Sequence, residues 1–117
     1  MKQLDRVEPV LMVRDVSRAL AFYAQLGFEE VFRDDDHAPM FAMVARDAAY
    51  LAMQRHDFEG VAGDRPVVRF PTQDVDALSE EFGSVVDRTE VNDTVWGTRE
   101  FHMRDPDGNG LQFYADR

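Results

Sequence analysis

The 117-residue chain contains no cysteine. Disulfide frameworks, thiolate metal sites and cysteine nucleophiles are therefore excluded, and any chemistry must rest on histidine, carboxylates, hydroxyls, amides or aromatic rings. Long apolar runs are missing as well, and no stretch approaches the roughly 20 residues that a membrane-spanning helix needs. The opening MKQLDRVEPV has no apolar signal core, so a cytoplasmic location without a membrane partner is expected. Positive charge is scarce: 13 Lys and Arg stand against 23 Asp and Glu, a formal net charge of −10. That sign is wrong for a phosphate backbone, so nucleic acid is not expected as a partner. An acidic surface keeps a protein soluble and can also steer a cationic small molecule. The length suits one domain, or two small modules sharing a core.

What is present is one pattern written twice. Val7 to Val13 is short, apolar and rich in Val, a strand that Pro9 places near its start or at an edge. The period then changes to that of a helix: Val16, Ala19, Leu20, Tyr23 and Leu26 follow i, i+3, i+4 and i+7 spacing, Asp15 or Ser17 can cap the start, and Gly27 sits where a left-handed cap is wanted. Strand candidates follow at Phe28 to Arg33, Met40 to Ala45 and Tyr50 to Gln54, with a turn at Arg46-Asp47-Ala48-Ala49. After RHDFEGVAGDRP the order returns: a strand over Val67 to Phe70, a helix over Val75 to Phe82 with Val75, Leu78 and Phe82 on one face, Gly83 as stop, then further strands. A gapless offset of 60 lays Met40-Phe41-Ala42-Met43 over Glu100-Phe101-His102-Met103 and Leu51-Ala52-Met53 over Leu111-Gln112-Phe113. The expected architecture is α+β, two tandem βαβββ modules in one domain spanning 1–117. Module one covers about 5–55, the linker about 56–65 and module two about 66–117.

Two stretches, EPVLMVRDVSRALAFYAQLGF and VWGTREFHMRDPDGNGLQFY, resemble the vicinal oxygen chelate superfamily of glyoxalases, extradiol dioxygenases and fosfomycin-modifying enzymes. Within it, Trp-Gly-x-Arg-Glu-Phe points to the bleomycin resistance protein branch. The resemblance implies half-open curved sheets of the glyoxalase/bleomycin resistance fold, assembled as a homodimer with ligand clefts on the concave faces. It also implies where a metal would be held in the metal-dependent members: Glu8, Ala52, Val67 and Gln112 stand at the four matching positions. One carboxylate, one amide and two hydrocarbons do not make a divalent-metal site, and a one-residue slip brings no better ligand. No metal and no other cofactor is expected on this ground. Glu8 joined by His102 is the remaining unconventional metal pair.

Strand alternation assigns the faces of the C-terminal hairpin. If Gln112 faces the cleft, Leu111 and Phe113 face the helix, and His102 shares the cleft while Phe101 and Met103 pack inward. Trp96, the only tryptophan, lies in an Asn/Asp/Thr-rich loop at the position of the branch's groove tryptophan, where an aromatic plane can stack on a flat ligand. Phe32 carries over in the same way, and His37 matches a loop that closes over the cleft in this branch. His56 reads as a surface residue, and Asp105 to Gly110 as turn chemistry with Gly108 or Asn109 accepting positive φ. Arg69 shares a strand face with Val67, and a guanidinium there prefers an anionic group. Bleomycin-type drugs are cationic, so either Glu8 pairs with Arg69 or the ligand is of another kind.

No catalytic residue is assigned, because no nucleophile, base dyad or metal set rises from the sequence. The leading expectation is a metal-free protein that sequesters an aromatic or amphipathic antibiotic, bleomycin-like or otherwise, in a dimer cleft, with Trp96, His102, Gln112, Phe32, Arg69, Glu8 and His37 as ligand contacts. The alternatives are a metal-dependent lyase, dioxygenase or transferase of the same superfamily with altered ligands, and a structural or regulatory dimer with a vestigial cleft.

Overall fold

The computed structural model describes residues 1–57 and 65–117. The chain divides between residues 58 and 59 into two compact units. Most of the expected linker, residues 58–64, lies outside the described residues.

In the first unit, β1 (Val10–Val13) leads through α1 (Val16–Gln25) to β2 (Glu29–Arg33), β3 (Phe41–Arg46) and β4 (Ala49–Arg55). The sheet order is β1-β4-β3-β2, with β1 parallel to β4 and the remaining pairs antiparallel. β1 starts at Val10 and not at Val7. Pro9 has no N–H to give a ladder and contributes only its carbonyl, which accepts from the Ala52 amide at 2.9 Å. Asp15, not Ser17, caps α1: its carboxylate accepts from the Arg18 amide at 3.0 Å. The helix buries Val16, Ala19, Leu20 and Tyr23, the apolar stripe its spacing predicts. It ends because Gly27 turns to φ 83°, a region open to glycine at no steric cost. Arg46 ties that end down by donating to the Leu26 carbonyl at 2.9 Å.

The second unit repeats the plan with β5 (Val67–Pro71), α2 (Val75–Phe82), β6 (Asn92–Asp93), β7 (Thr98–Arg104) and β8 (Gly110–Asp116) in the order β5-β8-β7-β6. Asp74 caps α2 through the Ala77 amide at 3.0 Å. Val75, Ser79 and Phe82 are its buried positions; Leu78, expected on that face, is only partly covered. Ser79 is drawn inward by Arg88, which donates to its hydroxyl at 3.0 Å and its carbonyl at 2.7 Å, and also to the Gly83 carbonyl. The apolar floor is aromatic. Phe113 stacks between Phe70 (4.9 Å) and Phe101 (5.1 Å), and Phe82 of α2 meets Phe101 and Phe113 edge-on at 6.0 and 5.5 Å. The buried rings of Phe82, Phe101 and Phe113 are each worth about 2–3 kcal/mol of transfer free energy.

The repeat is real, but its register differs from the gapless reading. Ala42 pairs with Met53 and Val44 with Leu51, all buried. Their equivalents are Phe101 with Phe113 and Met103 with Leu111. β4 therefore maps on β8 at an offset of 60 residues, as expected, but β3 maps on β7 at 59. Met43 corresponds to His102 and Phe41 to Glu100, so Ala42 does not correspond to His102. The two hairpins close differently: Asp47-Ala48 suffices between β3 and β4, whereas 105–109 connect β7 to β8. In the longer connection, Asp105 accepts from the amides of Asp107 and Asn109 at 2.9 Å each, and Gly108 takes φ 88°.

Candidate functional site

Most residues on the face of the second sheet opposite α2 are polar, Val67 excepted. Arg69, Gln112 and His102 form one row across β5, β8 and β7, and Tyr114 and Glu100 stand in the next row. The alternation that sends Phe101 and Phe113 into the aromatic floor sends Glu100, His102 and Gln112 to this other face. Glu100 is the centre of the cluster and is 1% exposed. One carboxylate oxygen takes the His102 Nε2 at 2.7 Å, and the other accepts from the Thr98 hydroxyl at 2.6 Å. Arg69 completes the shell with both terminal nitrogens 3.5 Å from the second oxygen. Thr98 is itself backed by the Thr94 hydroxyl at 2.8 Å. Burial alone would push the Glu100 carboxyl up, but the Thr98 hydroxyl, the His102 ring and the Arg69 charge together hold it below the ordinary glutamate value.

Arg69 is held on three sides. Besides Glu100, it donates to Gln112 Oε1 at 2.7 Å and its guanidinium carbon lies 4.1 Å over the Tyr114 ring. The conflict posed by a cation on this face is thus settled locally. Arg69 pairs with Glu100 at 3.5 Å, and the Glu8 carboxylate takes Arg6 at 2.9 Å. His102 and Gln112, joined by Val67, Thr89, Arg88 and Arg104, line a groove of about 540 Å³ on this unit.

The other expected contacts are placed elsewhere. Trp96 sits in the turn between β6 and β7, 65% exposed, and does not line the groove. Phe32, Glu8 and His37 belong to the first unit. Phe32 is half exposed beside Phe41, with ring centroids 6.3 Å apart. His37 lies in a loop organised by carboxylates. Asp35 accepts from the His37 and Ala38 amides at 3.0 and 2.7 Å, and Asp34 accepts from the Met40 amide at 2.9 Å. Sequence reasoning passed over Glu100, Thr98 and Tyr114. Period-2 alternation from His102 would have found the first two, and from Gln112 the third. The hydrocarbon counterpart is informative as well: the first unit has Phe41, Met43, Ala52 and Val10 where the second has Glu100, His102, Gln112 and Arg69.

The metal positions of the resemblance do not form a donor set in this chain. Val67 and Ala52 are hydrocarbons, and Gln112 gives its oxygen to a guanidinium, which is no neighbour for a cation. Among the described residues no three His, Asp or Glu side chains converge.

Comparison with known proteins fits these observations. Residues 3–113 match the model of the glyoxalase/bleomycin resistance protein/dioxygenase superfamily. The chain belongs to this superfamily. An uncharacterised protein of Mycolicibacterium smegmatis is 32% identical over 91% of this chain and 89% of its own. A bleomycin-binding protein from bleomycin-producing Streptomyces verticillus, solved with copper(II)-bleomycin, superposes with a TM-score of 0.81 at 33% identity, covering all of both chains. The bleomycin resistance determinant encoded on transposon Tn5 superposes at 0.84 over 97% of this chain and 99% of its own; at 23% identity it supports the fold alone. The paired βαβββ units are thus the superfamily's fold, and no helix among the described residues is long and apolar enough to cross a membrane.

Proposed function

We propose that this chain is a binding protein that sequesters an aromatic or amphipathic antibiotic of the bleomycin kind, without a bound metal of its own and without turning the ligand over. The observation that carries the reading is the full-length, 33% identical likeness to a protein solved with copper(II)-bleomycin. The site supports it: its charged pair, Arg69 and Glu100, is spent internally, and His102 and Gln112 are left to a groove. Trp96 and Phe32, both more than half exposed, are large aromatic surfaces suited to stacking on a flat ligand. His37 and Glu8 complete the proposed contacts. Glu8 is an exposed carboxylate that suits a cationic group. The binding form is a cytoplasmic homodimer, supported by exposed Val10, Val31, Phe32, Met40 and Val67, apolar surface that a second copy would cover.

Isothermal titration with metal-free and copper(II)-bleomycin tests the reading, in parallel with elemental analysis of the purified protein and light scattering. Saturable binding, no stoichiometric metal and a mass above the 13.4 kDa chain are expected. Absence of binding to either form refutes the antibiotic reading. About one tightly held metal per chain would favour an enzyme of the superfamily with altered ligands.

A further inference from the structure

We infer that the groove of the second unit reads a neutral carboxamide-type edge, one hydrogen-bond donor beside one acceptor, through His102 and Gln112, and that Glu100 and Arg69 orient those two side chains from behind. The inference deepens the reading of this groove as a ligand site and rests on it.

The orientation of each side chain follows from what its charged neighbour is able to do. Arginine has donors only. Gln112 must therefore turn Oε1 toward Arg69, as found at 2.7 Å, and its amide nitrogen points away with two N–H groups that have no partner among the described residues. An ionised carboxylate has acceptors only. Glu100, held ionised by Thr98, His102 and Arg69, must then receive a proton-bearing His102 Nε2 across their 2.7 Å contact. That places a proton on Nε2, so in the neutral ring Nδ1 keeps its lone pair. Nδ1 has no partner among the described residues either, and the ring is 40% exposed.

His102 and Gln112 are cross-strand partners and both line the groove, which brings the two unused functions to one wall. An acceptor next to donors matches a primary or secondary carboxamide, or the amino-azine edge of a heteroaromatic ring. A carboxylate would set its lone pairs against that of Nδ1, and an ammonium would meet the Gln112 N–H groups, so either charged ligand satisfies one half of the pair only. Three further charged groups line the groove: Arg88, committed to the carbonyls of Ser79, Gly83 and Val86, Arg104, which donates to the Gly108 carbonyl at 2.8 Å, and the Asp87 carboxylate.

Long-range proton–nitrogen NMR of the histidine rings tests this on the intact protein at about pH 8, above the ordinary imidazole range, with His102→Leu used to assign the signal. The resting spectrum is expected to show His102 protonated at Nε2 alone. Titration with acetamide should move the His102 Nδ1 and Gln112 amide signals, whereas N,N-dimethylacetamide, which has no N–H, and acetate should leave Nδ1 in place. Gln112→Glu keeps the oxygen that faces Arg69 but removes the donors, and should abolish the acetamide response at an unchanged melting temperature. A proton on Nδ1 in the resting protein overturns the inference, as does an equal response, or none, to acetamide and its dimethyl analogue. If Gln112→Glu fails to fold, the wild-type comparison of the three probes decides alone. Failure to bind bleomycin with the acetamide pattern intact sinks the antibiotic reading only. Bleomycin binding with an unresponsive Nδ1 sinks this inference only.

Discussion

Truncating Phe101 to alanine removes the ring that locks β7 to α2, and the loss should be among the largest any single change produces in this chain. Phe101 is fully buried, stacked 5.1 Å from Phe113 and edge-on to Phe82 at 6.0 Å. Both partners lose a face, and the rigid strand on one side and the helix on the other limit collapse into the void. Phe→Ala at such sites costs about 3–5 kcal/mol, transfer and cavity terms together. Against a total stability of roughly 5–15 kcal/mol, that is a fall in melting temperature of about 15 °C for a chain of this size. Urea unfolding followed by far-UV circular dichroism measures it, with Gln112→Ala as the control one strand away. The control side chain leans on exposed Arg69 and should lose less than about 1 kcal/mol. The face assignment is refuted if Phe101→Ala costs less than about 1 kcal/mol, or if Gln112→Ala costs as much as it does.

The Glu100 carboxyl is held below its unfolded value, so its contribution to stability is fully present above the ordinary glutamate range and is lost as pH falls through the folded value. Glu100→Gln should therefore flatten the acid side of the stability curve, leaving a residual slope from Asp76, Asp93 and Asp34, which are also held low; an identical acid slope in the variant counts against the network. Trp96→Ala should change unfolding free energy by less than about 0.5 kcal/mol, as an exposed side chain does, while weakening bleomycin binding by roughly 1–3 kcal/mol; titration and urea melts separate the two. Gly27→Ala forces a side chain into φ 83° and sets its Cβ 3.0 Å from Arg46 Nη1, so a loss of about 1–2 kcal/mol is expected by chemical denaturation. Gly27→Asn should cost less, since asparagine tolerates this conformation better.

The helices and most strands were legible because their signals are local. Asp15 and Asp74 cap, Gly27 and Gly83 stop, and the i, i+3, i+4 stripe of α1 needs no tertiary partner to be recognised. The repeat was legible too, but only to within a residue. The last two strands of each half align without a gap at an offset of 60, whereas β3 maps on β7 at 59, because the second hairpin holds one residue more between equivalent strand positions: six separate Val44 from Leu51 and seven separate Met103 from Leu111. Where a register slips by one, every side chain changes face, and only the burial of Ala42 and Val44, matched in the second unit by that of Phe101 and Met103, reveals it.

By itself the sequence determined the βαβββ plan, the inward set of the last hairpin and the absence of a coherent metal donor set at Glu8, Ala52, Val67 and Gln112. Residue type alone excludes a hydrocarbon as a ligand. Only the tertiary structure decided what Arg69 does. Its partners Glu100 and Gln112 are 31 and 43 residues away, and no local pattern shows that three strands will bring a guanidinium, a carboxylate and an amide into neighbouring rows. Alternation places Glu100 on the strand face it shares with Thr98 and His102, but its burial and its pairing with Arg69 are not local. A buried carboxylate is tolerable only when paired and hydrogen-bonded, and those partners, Arg69 on β5 with Thr98 and His102 on β7, converge on it only once the sheet has formed.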